Sequence, residues 1–204
     1  MAWKKRRGQL RSLAEGLVKA GALQFGTFTL PDGRDSSYYV NLRGLPSYPG
    51  LFRLVVDSMG DMVKKAPTPD AFCSVPVSGL NIAAPLALSK GKPLLYTTQR
   101  KQGEGRVLEG EVRPGWKVMV IDDLAGSGST VLKAAKAVEQ EGGEVKHAAV
   151  VVDRLEGARE ALSKQGVSLH ALTDILELSD TLFAMGLMSE GNLKSITKTV
   201  GRSQ

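Results

Sequence analysis

The sequence predicts an α/β protein in which helices cover both faces of a parallel sheet. From about residue 69 onward, short apolar runs alternate with stretches of helical spacing, which is the pattern of repeated strand–helix units. The run at residues 118–121 is apolar at every position, as expected of a central strand that is buried on both faces. Ligands of such sheets bind at the carboxyl ends of the strands, so functional side chains are expected there.

Two helices and a hairpin are predicted before the alternation begins. Residues 8–20 and residues 49–64 carry apolar side chains at the spacing of amphipathic helices. Between them, residues 25–41 predict a hairpin, because the Pro-Asp-Gly sequence at 31–33 is a turn signal between two β-prone runs.

The alternating part then predicts strands and helices in turn. The strands are predicted at residues 71–77, 93–97, 118–121, 148–152 and near 169–176. The helices between them are predicted at residues 79–89, 130–141 and 157–165. The connection at residues 98–117 is different, because it mixes four glycines with charged side chains. It predicts a long mobile loop or hairpin, and connections of that length are usually functional.

Composition and charge limit the classes of partner. The chain has 204 residues, a single cysteine and a formal net charge of +6. One cysteine excludes a disulfide within the chain, and an apolar neighbourhood predicts that Cys73 is a core side chain. The charge favours anionic partners, but the basic cluster at residues 4–7 is expected to be the solvated start of a helix, so nucleic acid is an unlikely partner. Because no apolar stretch reaches roughly 20 residues, a soluble, cytoplasmic protein without membrane contact is expected.

A loop rich in glycine and hydroxyl side chains, the Gly/Ser loop at residues 126–130, separates a predicted strand from a predicted helix. Gly126 and Gly128 are expected to adopt positive φ and to let the backbone approach a ligand closely. Unpaired N–H groups at the helix start favour an anion, and the loop hydroxyls add donors. The loop therefore predicts a phosphate site. It is not a Walker A loop, which needs a lysine, nor a Rossmann fingerprint, which needs a third glycine.

Two adjacent acids, Asp122 and Asp123, directly follow the apolar run at 118–121. Charged side chains at the end of a buried strand cost desolvation, so they are expected to serve a ligand. Carboxylates accept hydrogen bonds from sugar hydroxyls and can hold the hydration shell of Mg²⁺. Acids and Gly/Ser loop together predict a site that binds both ends of a sugar phosphate. The alternative is an ordinary polar turn between a strand and a helix.

Paired acids with hydrophobic flanks, followed by a Gly/Ser/Thr loop, resemble the 5-phosphoribosyl-1-diphosphate (PRPP) signature of type I phosphoribosyltransferases. The resemblance implies the fold of that family, a parallel sheet flanked by helices with a small N-terminal hood. It implies that Asp122 and Asp123 are catalytic residues that contact the ribose hydroxyls, with Mg²⁺ held near them indirectly. The residues implied to bind the phosphate of PRPP are Leu124, Ala125, Gly126, Ser127, Gly128, Ser129 and Thr130.

Two further segments resemble orotate phosphoribosyltransferases. Residues 25–41 resemble the "F-G-x-F-x-L-x-x-G-R-x-S-x-Y" hood hairpin, and residues 152–157 resemble a "D-R-x-E-G" segment whose arginine binds the orotate carboxylate. The residues implied to contact orotate are Arg154, Tyr39, Val40 and Ser127. A guanidinium suits this role because it pairs bidentately with a planar carboxylate. The alternative for Arg154 is a surface ion pair with Glu156 or Glu160.

The remaining resemblance concerns two loops that handle the diphosphate. The residues implied to form the diphosphate loop are Val77, Ser78 and Gly79. Arg100 and Lys101 resemble the start of the family's catalytic loop, where they would neutralise the leaving diphosphate, and residues 109–111 resemble its end. The chain departs from many bacterial members at Pro31 and Ser78, where those carry lysine. The second lysine and the histidine of the catalytic loop are also missing.

The resemblance implies transfer of the phosphoribosyl group of PRPP to orotate, giving orotidine 5′-monophosphate and diphosphate in pyrimidine biosynthesis, by a Mg²⁺-dependent homodimer. It divides the chain into an N-terminal helix and hood at 1–45, a PRPP-binding core at 46–180, and a C-terminal helical segment at 181–204 that completes hood and core. Two alternatives stay open. One is a phosphoribosyltransferase for a purine or another base, and the other is a non-catalytic regulator that senses PRPP or a nucleotide. His147 and His170 are expected to be structural.

Overall fold

The computed structural model describes residues 2–29, 33, 35–98 and 107–201, with side chains from residue 7 onward. The helices are α1 (Ala2–Lys19), α2 (Pro49–Val63), α3 (Ser78–Lys90), α4 (Ser129–Gln140), α5 (Ala158–Ser163), α6 (Ile175–Ala184) and α7 (Glu190–Gly201). The strands are β1 (Leu23–Thr29), β2 (Asp35–Val40), β3 (Ala71–Ser74), β4 (Leu94–Thr97), β5 (Leu108–Glu109), β6 (Lys117–Ala125), β7 (Glu144–Asp153) and β8 (Ser168–Asp174). The predicted alternation of strands and helices after residue 69 is therefore present.

The main sheet has six strands in the order β5-β4-β3-β6-β7-β8. Its strands are parallel except for β5, which pairs antiparallel with β4. The longest strands, β6 and β7, lie next to each other near the middle, and helices cover both faces. The predicted fold class, a parallel sheet flanked by helices, is confirmed.

The two faces of the sheet pack into separate apolar cores because successive side chains of a strand point to opposite sides. On one face, Met119 and Ile121 of β6 pack with buried side chains of α1, α2, α3, α6 and α7. On the other face, Val118 and Val120 pack with buried side chains of α4 and α5. This double burial explains why the 118–121 run carries no polar residue.

The N-terminal hairpin packs on the larger of these cores. Strands β1 and β2 pair antiparallel, and Leu23, Tyr38 and Val40 are buried with side chains of α1, α2, α6 and α7. Ser37 of β2 also lies 3.2 Å from Thr199 of α7, hydroxyl to hydroxyl. Residues 30–32, which contain most of the predicted turn, lie outside the described residues.

The predicted division of the chain into segments 1–45, 46–180 and 181–204 is not tested by these observations and stays a prediction. The boundary at 180/181 falls inside α6.

Two predicted strands are too long at their ends. β3 ends at Ser74, before Pro76, which cannot donate to a ladder, and β8 ends at Asp174, whose carboxylate caps α6 by accepting from the Glu177 N–H at 2.8 Å. Within the described ranges, no helix is both long and apolar enough to cross a membrane.

Candidate active site

Asp122 and Asp123 lie within β6, which continues to Ala125. The acids were predicted to lie at the end of this strand, and the strand continues for two residues beyond them. The reason is the length of β7, which keeps pairing with β6 in parallel, with Leu124 opposite Val152 and Ala125 opposite Asp153. The acids are thus held by backbone pairing with β7 on one side, because the pairing of β6 with β3 ends at Ile121, and they do not lie in a loose turn.

Both acids are almost completely removed from solvent, with 5% of Asp122 and 8% of Asp123 exposed. Burial, and then the neighbouring charge of Asp123, raise the pKa of Asp122 well above its ordinary value. The Asp123 N–H donates to Asp122 Oδ1 at 2.8 Å, and the Thr130 hydroxyl donates to Asp122 Oδ2 at 3.3 Å. Across the described part of the chain, no salt bridge joins either acid to a basic side chain. The pair is therefore a site of uncompensated negative charge.

The Gly/Ser loop begins α4 with little use of its backbone donors by protein groups, since the Ser129 N–H has only a long contact of 3.5 Å to the Ser127 hydroxyl. Gly128 is the N-cap residue, adopts φ +79, and provides no side-chain cap. A Cβ at this position would also lie 3.3 Å from Ala158 Cα. The Ser127 hydroxyl donates to the Ser129 hydroxyl at 3.2 Å. An uncapped helix start with adjacent hydroxyls is suited to an anion.

Gly126 differs from the prediction. It does not adopt positive φ, so that part of the prediction is wrong. A Cβ at this position would lie 2.9 Å from Glu156 Oε2, so a larger residue would displace the flexible end of the Glu156 side chain. Leu124 and Ala125, which were also predicted to bind phosphate, are strand residues, and their role stays a prediction.

The turn after β7, the arginine turn at residues 153–157, carries the predicted orotate ligand. Arg154 Nη2 lies 2.7 Å from Glu156 Oε1, and the two side chains are only 19% and 16% exposed. The predicted alternative, an ion pair with Glu156, is thus present, but it is mostly buried and not on the surface. The Arg154 N–H donates to the Ala125 carbonyl at 2.7 Å, so the arginine turn is joined directly to the strand that carries the acids.

Asp153 and Leu155 shape this turn, and sequence reasoning gave them no role. Leu155 adopts φ +59, a left-handed conformation that is rare for a branched residue. The buried Asp153 carboxylate accepts from the Leu155 N–H at 2.9 Å and lies 2.7 Å from Arg159 Nε. The Arg159 Nε and Asp153 Oδ2 atoms are close, although the Nε–H bond is not directed at Oδ2. Asp153 therefore stabilises a strained backbone at a candidate site.

The hood contributes Tyr38 to the arginine turn, a residue that the sequence did not single out. Arg154 Nε donates to the Tyr38 hydroxyl at 3.4 Å, and the guanidinium lies 5.4 Å from the ring centroid. Tyr39 is on the opposite face of β2, half exposed and stacked on Phe28. The period-two alternation of β2, which buries Tyr38 with Val40, was the signal that could have identified Tyr38. Orotate contacts by Tyr39 and Val40 stay a prediction.

The predicted diphosphate loop lies at the start of α3, beside the acids. Gly79 packs so closely on β6 that a Cβ there would lie 2.9 Å from the Ile121 carbonyl oxygen and 3.1 Å from Asp122 Oδ1. Val77 is 63% exposed at the tip of this loop. The structure thus brings together residues 77–79, the acids, the Gly/Ser loop and Arg154 at the carboxyl edge of the sheet.

Arg100 and Lys101, the other predicted catalytic residues, lie outside the described residues. The base of their loop is a hairpin, because β4 and β5 pair antiparallel and the Thr98 N–H donates to the Val107 carbonyl at 2.7 Å. This agrees with the hairpin that was one of the two predictions for residues 98–117.

The two histidines lie together on neighbouring strands, away from the acids. His147 Nδ1 is 3.1 Å from His170 Nε2. In the part of the chain that the structure describes, no group of three or more His, Cys, Asp or Glu side chains could hold a metal ion. Any metal at the acids therefore needs further oxygen ligands from substrate or water.

Comparison with known proteins agrees with this geometry. The phosphoribosyl transferase domain family matches residues 62–170, which contain the acids, the Gly/Ser loop and the arginine turn. The chain therefore has the fold of a phosphoribosyltransferase, as predicted.

Individual relatives narrow the class. An orotate phosphoribosyltransferase of Cenarchaeum symbiosum is 40% identical over 177 residues, which cover 84% of this chain and 88% of that protein. The crystal structure of orotate phosphoribosyltransferase from Aeropyrum pernix has a TM-score of 0.77 at 33% identity, covering 87% of this chain and 99% of that one. Leishmania donovani UMP synthase has a TM-score of 0.85 at 29% identity; the match covers 94% of this chain but 42% of that longer chain. The chain belongs to the orotate phosphoribosyltransferase family, which confirms the predicted family.

Proposed function

We propose that this chain is an enzyme that transfers the phosphoribosyl group of PRPP to orotate, giving orotidine 5′-monophosphate and diphosphate in pyrimidine biosynthesis. The observation that carries the proposal is the adjacency of two sites at the ends of neighbouring strands. The paired acids lie in the last part of β6 and the Gly/Ser loop follows that strand, while Arg154 follows β7 and donates its N–H to the Ala125 carbonyl at 2.7 Å. Groups suited to a phosphate, a ribose and an anionic base therefore lie along the same edge of the sheet.

The Gly/Ser loop is proposed to bind the 5′-phosphate of PRPP. Gly128 leaves the first backbone N–H groups of α4 without a side-chain cap, and those groups, together with the helix dipole, favour an anion. Ser127 and Ser129 add hydroxyl donors beside them. Asp122 and Asp123 come shortly before this loop, near the end of β6. They are proposed to accept hydrogen bonds from the ribose hydroxyls.

The two acids also fit Mg²⁺. They are buried, carry no basic partner among the described residues, and supply the hard oxygen atoms that Mg²⁺ prefers, with substrate oxygens and water completing its shell. Asp122 and Asp123 would hold the ion, directly or through water. When bound, Mg²⁺ supplies positive charge that stabilises the departing diphosphate.

Orotate supplies an anionic nitrogen as the nucleophile, so a strong general base is unnecessary. The protein's task is then to align the substrates and to stabilise charge. Arg154 is proposed to pair with the orotate carboxylate and so to set the position of the ring. As the bond from C1 to the diphosphate breaks, positive charge develops on the ribose, and the neighbouring carboxylates of Asp122 and Asp123 stabilise it. Arg100 and Lys101 are proposed to neutralise the diphosphate.

Assembly and location are proposed from the sequence. The resemblance of the 98–110 connection to a catalytic loop that reaches a partner's site supports a homodimer. A single, buried cysteine is consistent with a reducing compartment, and we propose the cytoplasm.

An assay of purified protein tests the proposed activity. Orotate is expected to disappear only when PRPP and Mg²⁺ are both present, with diphosphate formed in equal amount. A panel of purine and pyrimidine bases serves as the control for base specificity. Turnover of a purine in place of orotate would assign the chain to another base. PRPP binding without turnover of any base would favour a regulatory protein on this fold.

A further inference from the structure

One edge of the Arg154 guanidinium is occupied by protein groups. Nε donates to the Tyr38 hydroxyl at 3.4 Å, and Nη2 lies 2.7 Å from Glu156 Oε1. Burial raises the pKa of the Tyr38 phenol, and the nearby Glu156 carboxylate raises it further, against the opposing effect of Arg154. The three side chains therefore form a closed ring of contacts around the Nε–Nη2 edge.

The opposite edge of the guanidinium is open to a ligand. Among the described residues, Nη1 has no protein partner. A guanidinium presents two edges that can each pair with a carboxylate through two parallel hydrogen bonds. With the Nε–Nη2 edge held by Tyr38 and Glu156, the Nη1–Nη2 edge is the one left for a substrate carboxylate.

The backbone is arranged to produce this ring. Arg154 and Glu156 are separated by Leu155, whose φ of +59 turns the chain sharply. The charged atoms of the two side chains then meet at 2.7 Å. The Asp153 carboxylate holds the turn through the Leu155 N–H at 2.9 Å. Strain of this kind persists where surrounding contacts enforce it, often at functional sites.

We infer that Glu156 and Tyr38 are positioning residues that hold the Nε–Nη2 edge of Arg154, so that the Nη1–Nη2 edge receives the carboxylate of the base substrate. The inference rests on the proposed function, which assigns Arg154 to that carboxylate. Glu156 also lowers the net positive charge at the site. It therefore acts by orienting Arg154 and not by attracting the substrate carboxylate. An arginine with several rotatable bonds loses more entropy on binding unless it is already held in place.

Steady-state kinetics of four variants test this inference in the full-length protein. Glu156→Ala removes the contact and is expected to raise the orotate KM by about tenfold, the size expected for loss of a charged hydrogen bond. Glu156→Gln keeps the shape and an acceptor oxygen for Nη2, and it is expected to remain within about threefold of the wild type. Arg154→Ala alone and Arg154→Ala combined with Glu156→Ala complete a double-mutant cycle.

The cycle separates positioning from other roles. Because Glu156 acts through Arg154, the double variant is expected to have the same orotate KM as Arg154→Ala alone. The PRPP KM is expected to change by less than about twofold in Glu156→Ala, which a general loss of structure would not allow. Glu160→Ala is the matched control, since Glu160 is exposed on α5 and carries the same charge; it is expected to leave both constants unchanged.

Four outcomes would overturn the inference. A lower orotate KM in Glu156→Ala would make Glu156 a competitor for Arg154 and not its support. Additive effects in the double variant would show that Glu156 acts independently of Arg154. An unchanged orotate KM in Glu156→Ala, with a raised one in Arg154→Ala, would refute the positioning role but leave the proposed function standing. An unchanged KM in Arg154→Ala would remove Arg154 from the base site, and this inference with it.

Discussion

The carboxyl ends of β6 and β7, each taken with the turn that follows it, lie side by side at the same edge of the sheet, yet their polar groups are arranged in opposite ways. In the first, Asp122 and Asp123 are buried against each other, and Gly128 leaves the helix start uncapped. In the second, the Asp153 carboxylate has two partners, and Arg154 is paired with Glu156. The first turn keeps its polar groups for a ligand, whereas the second is already assembled by its own side chains.

This difference separates two ways of preparing a site. The end of β6 holds two acids that repel each other, and the turn after it holds backbone donors suited to an anion. Such an arrangement lowers stability in favour of ligand binding, as is common at active sites. The arginine turn stores strain at Leu155 but satisfies its charges. We therefore expect substitutions in the first turn to affect catalysis most, and substitutions in the second to affect base recognition and stability.

The largest effect is expected for Asp123→Asn. Loss of a carboxylate beside the ribose should lower kcat/KM by a factor on the order of 10² or more, because the charge contributes most in the transition state. Steady-state assays with both substrates varied provide the measurement. Asp180→Asn, an exposed position on α6, is the matched control. A decrease below about threefold would contradict the role given to Asp123.

A smaller and more selective effect is expected for Arg154→Ala. Removing the guanidinium should raise the orotate KM on the order of tenfold or more, with little change for PRPP, because a bidentate charged pair is lost at one substrate only. Arg53→Ala, an exposed arginine on α2, is the control for loss of charge. An equal rise for both substrates would mean that the two turns do not divide recognition as described.

The two turns also differ in how far the sequence alone could describe them. The Gly/Ser loop and the acids are contiguous, and their composition indicates an anion and a sugar without tertiary information. What the sequence did not show is that β6 continues through the acids, because that depends on the length of β7. The failed expectation for Gly126 has a similar cause, since the side chain that a Cβ there would meet is that of Glu156, thirty residues along the chain.

The base site could be predicted only by resemblance, because its residues are remote in sequence. Tyr38 reaches Arg154 across 116 residues, and no local pattern links them. Strand alternation in β2 would have indicated that Tyr38 faces inward, but not which group it meets. The fold was easier to predict, since buried parallel strands and amphipathic helices leave a direct periodic signal.

Opposite changes in stability are expected for the acids of the two turns. Asp122→Asn removes a buried charge that Asp123 repels, and should raise the free energy of unfolding by about 1 kcal/mol in Mg²⁺-free buffer. Asp153→Asn weakens the contacts with Leu155 and Arg159, and should lower it by about 1–2 kcal/mol. Urea unfolding of both variants measures the difference. Destabilisation by both substitutions would show that the contacts of the Asp122 carboxylate outweigh its repulsion by Asp123.

The smallest contrast concerns the glycines that begin α4 and α5. Gly128 and Gly157 both adopt positive φ, at +79 and +93, so alanine should cost about 1–2 kcal/mol of stability at either position. Gly128→Ala should cost more, because its Cβ would lie 3.3 Å from Ala158 Cα, whereas nothing lies within 4 Å of a Cβ at Gly157. Urea midpoints of the two variants give the comparison. Equal values would mean that Ala158 moves aside freely.

The most direct measurement is a crystal structure of the protein with PRPP and Mg²⁺. The predicted result places the 5′-phosphate on the backbone N–H groups of residues 126–130, with the ribose hydroxyls against Asp122 and Asp123. A phosphate bound anywhere else, with the start of α4 left unused, would contradict the assignment of this edge of the sheet as the active site.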